Sequence, residues 1–158
     1  MPSTCERTEL EFFLTSPTWS VRQARQLAQA TVRQWFPDKV VETAGLLVSE
    51  LASNAVRHVT GRACFRLVVL RTAKGLRAEV HDCGRGEPRV LKAGDGDEGG
   101  RGLALVELLS DAWGWTPTAD GKAVWFELHE RGLGQPARLV DLELSAPPIS
   151  GRVATLSS

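Results

Sequence analysis

The stretch that decides the fold lies near the middle of the chain and reads LVSELASNAVRH over residues 47–58. Its apolar residues recur at three- and four-residue intervals and continue a pattern that starts earlier, so the sequence predicts one long helix over about residues 39–58. At roughly 100° per residue, Glu50, Asn54 and His58 align along one margin of the apolar face. A polar row at the rim of a buried helix is a place where a binding site can be lined.

The surrounding sequence predicts two more helices and five strands. A short edge strand over residues 10–14 precedes a helix from Trp19 to Trp35, and a third helical pattern begins at Leu103. Two strand pairs are predicted, each joined by a tight turn: 63–70 with 76–82, and 112–116 with 122–128. Because hairpins rather than regular helical crossovers join the strands, the expected fold is α+β, a two-layer sandwich with a mixed, largely antiparallel sheet.

The periodic pattern fades after Glu130. Glycine, proline and serine punctuate the remainder, so the sequence predicts a folded domain over residues 1–130 and a poorly ordered tail over 131–158.

Composition excludes several classes of protein. The 19 basic and 19 acidic residues cancel, which gives no electrostatic case for binding nucleic acid or an anionic membrane. The five tryptophans occupy apolar positions and are predicted to pack in the core rather than to stack on bases. The chain shows no apolar run of about 18 residues and no secretion signal. Three widely spaced cysteines form no disulfide framework, and the expected location is the cytoplasm.

The four-residue spacing of Glu50 and Asn54 places their side chains on adjacent turns of one helix face. An amide oxygen is a hard ligand suited to Mg²⁺, and a nearby carboxylate can accept the proton of an attacking hydroxyl. The same pair also fits ordinary polar positions on a helix surface. His58, one turn further on, fits a contact with the helix C-terminus better than a zinc site.

A second motif, DCGRG, spans residues 82–86 and closes a predicted strand. A buried Asp82 carboxylate could accept a hydrogen bond from an exocyclic amine such as that of adenine. Gly84 and Gly86 would let the backbone bend and approach a ligand closely. A plain strand-ending turn is the alternative interpretation.

A third motif, GGRGL, spans residues 99–103 and leads directly into a predicted helix. Backbone N–H groups at a helix start bind phosphate, aided by the helix dipole. Arg101 either adds positive charge or remains a solvated loop residue. The motif is not a Walker A sequence, since no Gly-Lys-Ser/Thr follows, and it is not a Rossmann fingerprint, since no strand leads straight into it.

In this order the three motifs resemble those of the Bergerat-fold ATP-binding family, which includes gyrase and the histidine kinases. Within that family the chain looks most like the small bacterial anti-sigma-factor serine kinases, over roughly Phe12 to Glu127. The resemblance implies that Glu50 is the general base and Asn54 the Mg²⁺ ligand. Asp82 would bind the adenine amine, on a turn shaped by Gly84 and Gly86.

The resemblance also implies how the phosphates are held. Residues 87–99 would form an ATP lid. Four residues would cradle the phosphates: Gly100, Arg101, Gly102 and Leu103.

The implied ligands are ATP and Mg²⁺. The implied substrate is a serine of an anti-sigma-antagonist protein, and the implied second partner is a sigma factor held inactive by a dimeric kinase. The chain departs from the family at Ala123, where a threonine often supports the adenine site, and a lost hydrogen bond costs about 1 kcal/mol.

That departure and the tail beyond Glu130 favour one alternative, a non-catalytic regulator in which ATP only orders the lid and a partner surface. A metal-dependent hydrolase using His58, His81 and Asp82 is disfavoured, because neighbouring strand residues point to opposite faces.

Overall fold

The computed structural model describes residues 9–15, 19–58, 65–84 and 99–130. These residues form five strands and three helices. In chain order they are β1 (Glu9–Leu14), α1 (Ser20–Val32), α2 (Asp38–His58), β2 (Phe65–Thr72), β3 (Gly75–Asp82), α3 (Gly99–Leu109), β4 (Ala112–Pro117) and β5 (Lys122–His129).

The five strands form one sheet in the order β1-β2-β3-β5-β4. Every strand pair within the described residues is antiparallel. The α+β prediction is therefore confirmed, whereas the expectation of a mixed sheet is wrong for this part of the chain. The reason is topological: α3 connects β3 to β4 at the sheet edge, and β5 then inserts between them, antiparallel to both.

The three helices pack on one face of this sheet. Alternation along the central strand β3 directs Leu76, Ala78 and Val80 into the core, where each is about 1% exposed. We call the opposite face of the sheet, which carries Arg77, Glu79 and His81, the outer face.

The helix α2 forms the centre of the helical layer. It packs against α1 and α3 on its sides and against β3 and β5 below. Its apolar face is sealed, with Leu47, Val48 and Leu51 at most 1% exposed. The predicted bounds of this helix are confirmed to within one residue. None of the helices in the described ranges is long and apolar enough to cross a membrane.

A chain of polar contacts runs across the outer face from β1 to β5. Each contact is between 2.7 and 3.1 Å long. In order it joins Glu11, Arg66, His81, Glu79, Arg77, Glu127 and His129. The outer face is thus organised by alternating charge, while the helix-facing side is organised by burial.

Tryptophan positions follow the core prediction in part. Trp35, Trp113 and Trp115 are partly buried against the core. Trp125 is buried on the outer face, where the Arg77 guanidinium carbon lies 4.0 Å from its ring centre. Trp19 contradicts the prediction: it is 58% exposed at the position before α1, which begins at Ser20 and not at Trp19 as predicted.

The helix α3 begins at Gly99, four residues earlier than its apolar pattern predicts. The glycine motif is therefore the first turn of the helix rather than a loop ahead of it. Glycine has poor helix propensity, and burial of the following apolar face overrides that preference here. The lid was predicted over residues 87–99, and its last residue, Gly99, is instead the first residue of α3. Residues 87–98 and the predicted tail over 131–158 lie outside the described residues.

Candidate functional site

Glu50 and Asn54 lie on adjacent turns of α2, as their spacing predicts. Glu50 is partly buried, and Asn54 is only 6% exposed. Asn54 is also the only asparagine of the chain. Burying an amide costs free energy that burying an apolar side chain avoids. Packing alone therefore does not account for an asparagine on this otherwise apolar helix face.

The first turn of α3 lies directly against Glu50. A methyl group built on Gly102 would stand 2.6 Å from Glu50 Oε2 and 3.4 Å from Glu50 Cβ. Only glycine fits this approach without moving the carboxylate. Two of the three sequence motifs therefore meet in space, through the packing of α3 on α2.

The backbone of that first turn is suited to bind an anion. The first four N–H groups of a helix have no partner within the helix, and here they belong to residues 99–102. The helix dipole adds partial positive charge at the same point. Leu103, which was predicted to help cradle phosphate, is 2% exposed, so its side chain anchors the turn in the core.

Asp82 ends β3 on the helix-facing side of the sheet, and its side chain is 1% exposed. Its Oδ1 accepts a hydrogen bond of 2.7 Å from the backbone N–H of Gly84. That bond turns the chain immediately after the strand, as an Asx turn does. The prediction of a buried carboxylate on a glycine turn is therefore met by the geometry.

Asp82 has a partner that the sequence motifs do not identify. Lys122 begins β5 directly opposite Asp82, and its Nζ lies 3.1 Å from Asp82 Oδ1 and 3.4 Å from the Gly84 carbonyl oxygen. The Lys122 side chain is 3% exposed. The sequence does contain an indication of this burial, because Lys122 lies on the same face of its strand as the apolar residues Val124 and Phe126.

Alternation along the same strand corrects the interpretation of Ala123. Ala123 pairs with His81 on β3 and therefore lies on the outer face, away from Asp82. A hydroxyl at that position would not reach the Asp82 carboxylate. The residue on β5 that contacts Asp82 is Lys122.

Neighbouring residues Asp82 and His81 point to opposite faces, as strand geometry predicts. His81 contacts Arg66 and Glu79 on the outer face, whereas Asp82 contacts Lys122 on the helix-facing side. The two residues cannot act as one hydrolytic pair. This arrangement removes the basis for the metal-dependent hydrolase.

Topology brings the α2 and β3 residues to one end of the molecule. Asn54 lies one turn before α2 ends at His58, and the chain next enters the sheet at Phe65. Phe65 is the cross-strand partner of Asp82. The end of α2 that carries Asn54 and the end of the sheet that carries Asp82 are thus joined by a connection of only six residues.

Parts of the predicted site lie outside the described residues. Gly86 and residues 87–98 of the predicted lid are among them, and so are the side chains of His58 and Arg101. Their predicted roles stay predictions.

The chemistry of the donor set fits a magnesium ion held together with phosphate. The amide oxygen of Asn54 is a hard ligand, and Mg²⁺ in such sites takes few protein ligands besides water and phosphate oxygens. Within the described ranges, no cluster of three or more His, Cys, Asp or Glu residues is arranged to hold a metal. A metal held by protein side chains alone therefore has no support in that part of the chain.

Comparison with family models gives a match. A family model described as a histidine kinase-like ATPase domain matches residues 13–128. No individual curated protein matches the chain. The matched range contains Glu50, Asn54, Asp82 and Lys122, together with all three helices. Since this range covers well over half of the 158 residues, the chain belongs to the histidine kinase-like ATPase domain family.

Proposed function

We propose that this protein binds ATP with Mg²⁺ and transfers the γ-phosphate to a serine or threonine of a partner protein. The observation that carries the proposal is the contact between Gly102 and Glu50. It places a half-buried carboxylate against a helix start that is suited to hold phosphate. Family membership supports ATP as the ligand.

In this proposal each motif has one task. Asp82 accepts a hydrogen bond from the adenine amine, and the first turn of α3 holds phosphate oxygens through backbone N–H groups. Asn54 would supply an oxygen ligand to Mg²⁺, which when bound would neutralise phosphate charge. Glu50 accepts the proton of the attacking hydroxyl, whose oxygen bonds to the γ-phosphorus as the bond to the leaving ADP oxygen breaks.

The resemblance to anti-sigma-factor serine kinases extends the proposal to partners. The substrate would be a serine of an anti-sigma-antagonist protein, and the second partner a sigma factor sequestered by a homodimer of this chain. The alternative is a nucleotide-gated regulator without transfer activity. Of the two features that favour it, Ala123 faces away from the Asp82 carboxylate, and the tail over 131–158 lies outside the described residues.

Calorimetric titration with ATP, with and without Mg²⁺, tests the binding step. We expect saturable binding that Mg²⁺ strengthens and that Asp82→Asn abolishes. Asp120→Asn is the matched control, because Asp120 is exposed in the β4–β5 turn and should leave binding unchanged. Absence of binding by folded protein would refute the proposal.

Phosphoserine detection by mass spectrometry tests the transfer step, with recombinant anti-sigma-antagonist proteins as substrates. Glu50→Gln should keep ATP binding and lose transfer. Glu42→Gln, which changes an exposed glutamate two turns earlier on α2, should keep both. ATP binding without transfer by the wild-type protein would favour the nucleotide-gated regulator instead.

A further inference from the structure

The buried lysine beside Asp82 has no task in the function proposed so far. Lysine is almost never fully buried unless it is paired, because removing an ammonium group from water is costly. Here the Lys122 side chain is 3% exposed and its partner Asp82 is 1% exposed. A buried ion pair is weak evidence for stability, since well-packed apolar residues often serve as well. Stability alone therefore does not explain why this ion pair is buried here.

The hydrogen bonds of the pair are only partly used among the described residues. An ammonium group has three N–H donors, and Lys122 directs them at two acceptors, Asp82 Oδ1 and the Gly84 carbonyl oxygen. Oδ1 of Asp82 also accepts from the Gly84 N–H. Among the described residues, one lysine N–H and the second carboxylate oxygen, Oδ2, have no further hydrogen-bond partner and could serve a ligand. The pair therefore presents a donor beside an acceptor.

This pattern is complementary to one edge of adenine. The exocyclic N6 amine of adenine donates, and the neighbouring ring nitrogen N1 accepts. Inosine and guanine reverse both roles, since they carry an acceptor oxygen at position 6 and a donor N–H at position 1. The inference drawn from this match rests on the proposed function. We propose that Lys122 recognises the base: its ammonium donates to adenine N1 while Asp82 accepts from N6.

The backbone of Gly84 supports this role. It donates to Asp82 Oδ1 at 2.7 Å and accepts from Lys122 at 3.4 Å, so one glycine contacts both members of the pair. The ammonium and the carboxylate are thus held in place before the base arrives. A preorganised site loses less conformational entropy on binding than one that must be assembled.

Calorimetry with two nucleotides tests the proposal. The probes are ATP and 1-deaza-ATP, which keeps the N6 amine and replaces N1 with a carbon. The wild-type protein should bind 1-deaza-ATP about 10- to 100-fold more weakly, the range for a hydrogen bond to a charged group. In Lys122→Met, the affinity for ATP should fall to the wild-type affinity for 1-deaza-ATP, and the two nucleotides should bind equally tightly. Lys74→Met, at an exposed turn lysine, should behave as wild type.

The outcomes separate this inference from the proposed function. If the wild-type protein binds no ATP, the proposed function itself fails. If it binds ATP and the preference over 1-deaza-ATP is the same in Lys122→Met, then Lys122 is a structural partner of Asp82 only. Inosine triphosphate that binds as tightly as ATP would also overturn the inference.

A measurement without variants covers the case in which Lys122→Met fails to fold. ATP labelled with ¹⁵N at N1 can be followed by NMR as the wild-type protein is added, with the lysine ammonium groups labelled as well. A through-hydrogen-bond correlation between N1 and a lysine Nζ is expected. Bound ATP whose N1 shows the shift of the free, water-exposed nucleotide would refute the assignment.

Discussion

Gly102 sets the position of the carboxylate that we assign as the base. A methyl group at this residue would stand 2.6 Å from Glu50 Oε2, so Gly102→Ala must displace the carboxylate or the first turn of α3. A displacement of about 1 Å in a catalytic group can cost about 100-fold in rate. We therefore expect Gly102→Ala to lower phosphoryl transfer by about that factor, measured as initial rates of phosphoserine formation.

Gly45→Ala is the matched control for that variant. Its methyl group would meet the Gln29 side chain at 2.5 to 2.8 Å, on the α1 side of α2 and away from Glu50. A flexible amide side chain can move aside, so transfer should be preserved. Equal losses in both variants would show that helix packing in general, and not the approach to Glu50, controls the rate.

Asn54 allows a direct test of the metal ligand, because it is the only asparagine in the chain. Protein labelled with ¹⁵N-asparagine should show one side-chain amide signal pair. Adding Mg²⁺ to the ATP complex should shift that pair, since a ligand oxygen changes the electron density of its amide. The ATP complex without Mg²⁺ is the control. A side-chain amide signal that does not shift when Mg²⁺ is added would exclude Asn54 as a ligand of the metal.

At the residue scale, the sequence predicts the burial of Asp82 and the alignment of Glu50 with Asn54. Both follow from local periodicity. It does not identify Lys122, because the partner across a sheet depends on strand order, and β5 inserts beside β3 only in the folded chain. The sequence likewise does not show which face of the sheet Ala123 occupies, because that face is set by the register between two paired strands.

Among the elements, β3 carries a polar row on the outer face whose ionisation affects stability. The His81 hydrogen bond holds the pKa of Glu79 below its ordinary value of 4.5, and Arg77 acts in the same direction against burial. The Arg66 guanidinium can only donate to His81 Nδ1, so His81 Nε2 carries the proton that is donated to Glu79.

A lowered carboxylate pKa gives stability with a definite pH dependence. The contribution of Glu79 is present above the ordinary value of 4.5 and is lost as pH falls through the lower folded-state pKa. Glu79→Gln should therefore be less stable than wild type near neutral pH, and the difference should shrink in acid. Urea unfolding at several pH values measures it, with Glu42→Gln as the control. A difference that stays constant with pH would contradict the assignment.

The pairing of β4 with β5 depends on close packing at one glycine. A methyl group on Gly114 would stand 2.7 Å from Trp125 Cζ2 and 3.0 Å from Cε2, atoms of a rigid ring. Overpacking of this kind costs about 1–3 kcal/mol. Gly114→Ala should lose that much free energy of unfolding, measured in urea, while Thr116→Ala on the exposed part of the same strand should not. ATP affinity should be unchanged, because Gly114 lies on the outer face.

At the element scale, nearly all of the described helices and strands are predictable from periodicity and turn signals. The exception is the start of α3, where three glycines conceal a helical turn that tertiary packing stabilises. Periodicity also cannot establish that every described strand pair is antiparallel, because strand order depends on contacts between residues far apart in the chain.

For the whole molecule, ligand binding should appear as added thermal stability. A ligand at about 100 times its Kd stabilises the native state by about 2.7 kcal/mol, which for a domain of this size raises the Tm by about 5–10 °C. Thermal unfolding with Mg²⁺–ATP should show this shift, and Asp82→Asn should abolish it. Asp120→Asn should retain it, and a shift that persists in Asp82→Asn would place the nucleotide elsewhere.

The Lys122–Asp82 pair has a consequence for how this protein can change over generations. Losing either member leaves a lone buried charge, which costs about 3–5 kcal/mol out of a typical total stability of about 5–15 kcal/mol. Whichever residue changes first, a lineage that replaces the pair must therefore pass through a destabilised intermediate with one buried charge unpaired. The two positions, 40 residues apart in the chain, should therefore be inherited as a unit and drift together rather than singly.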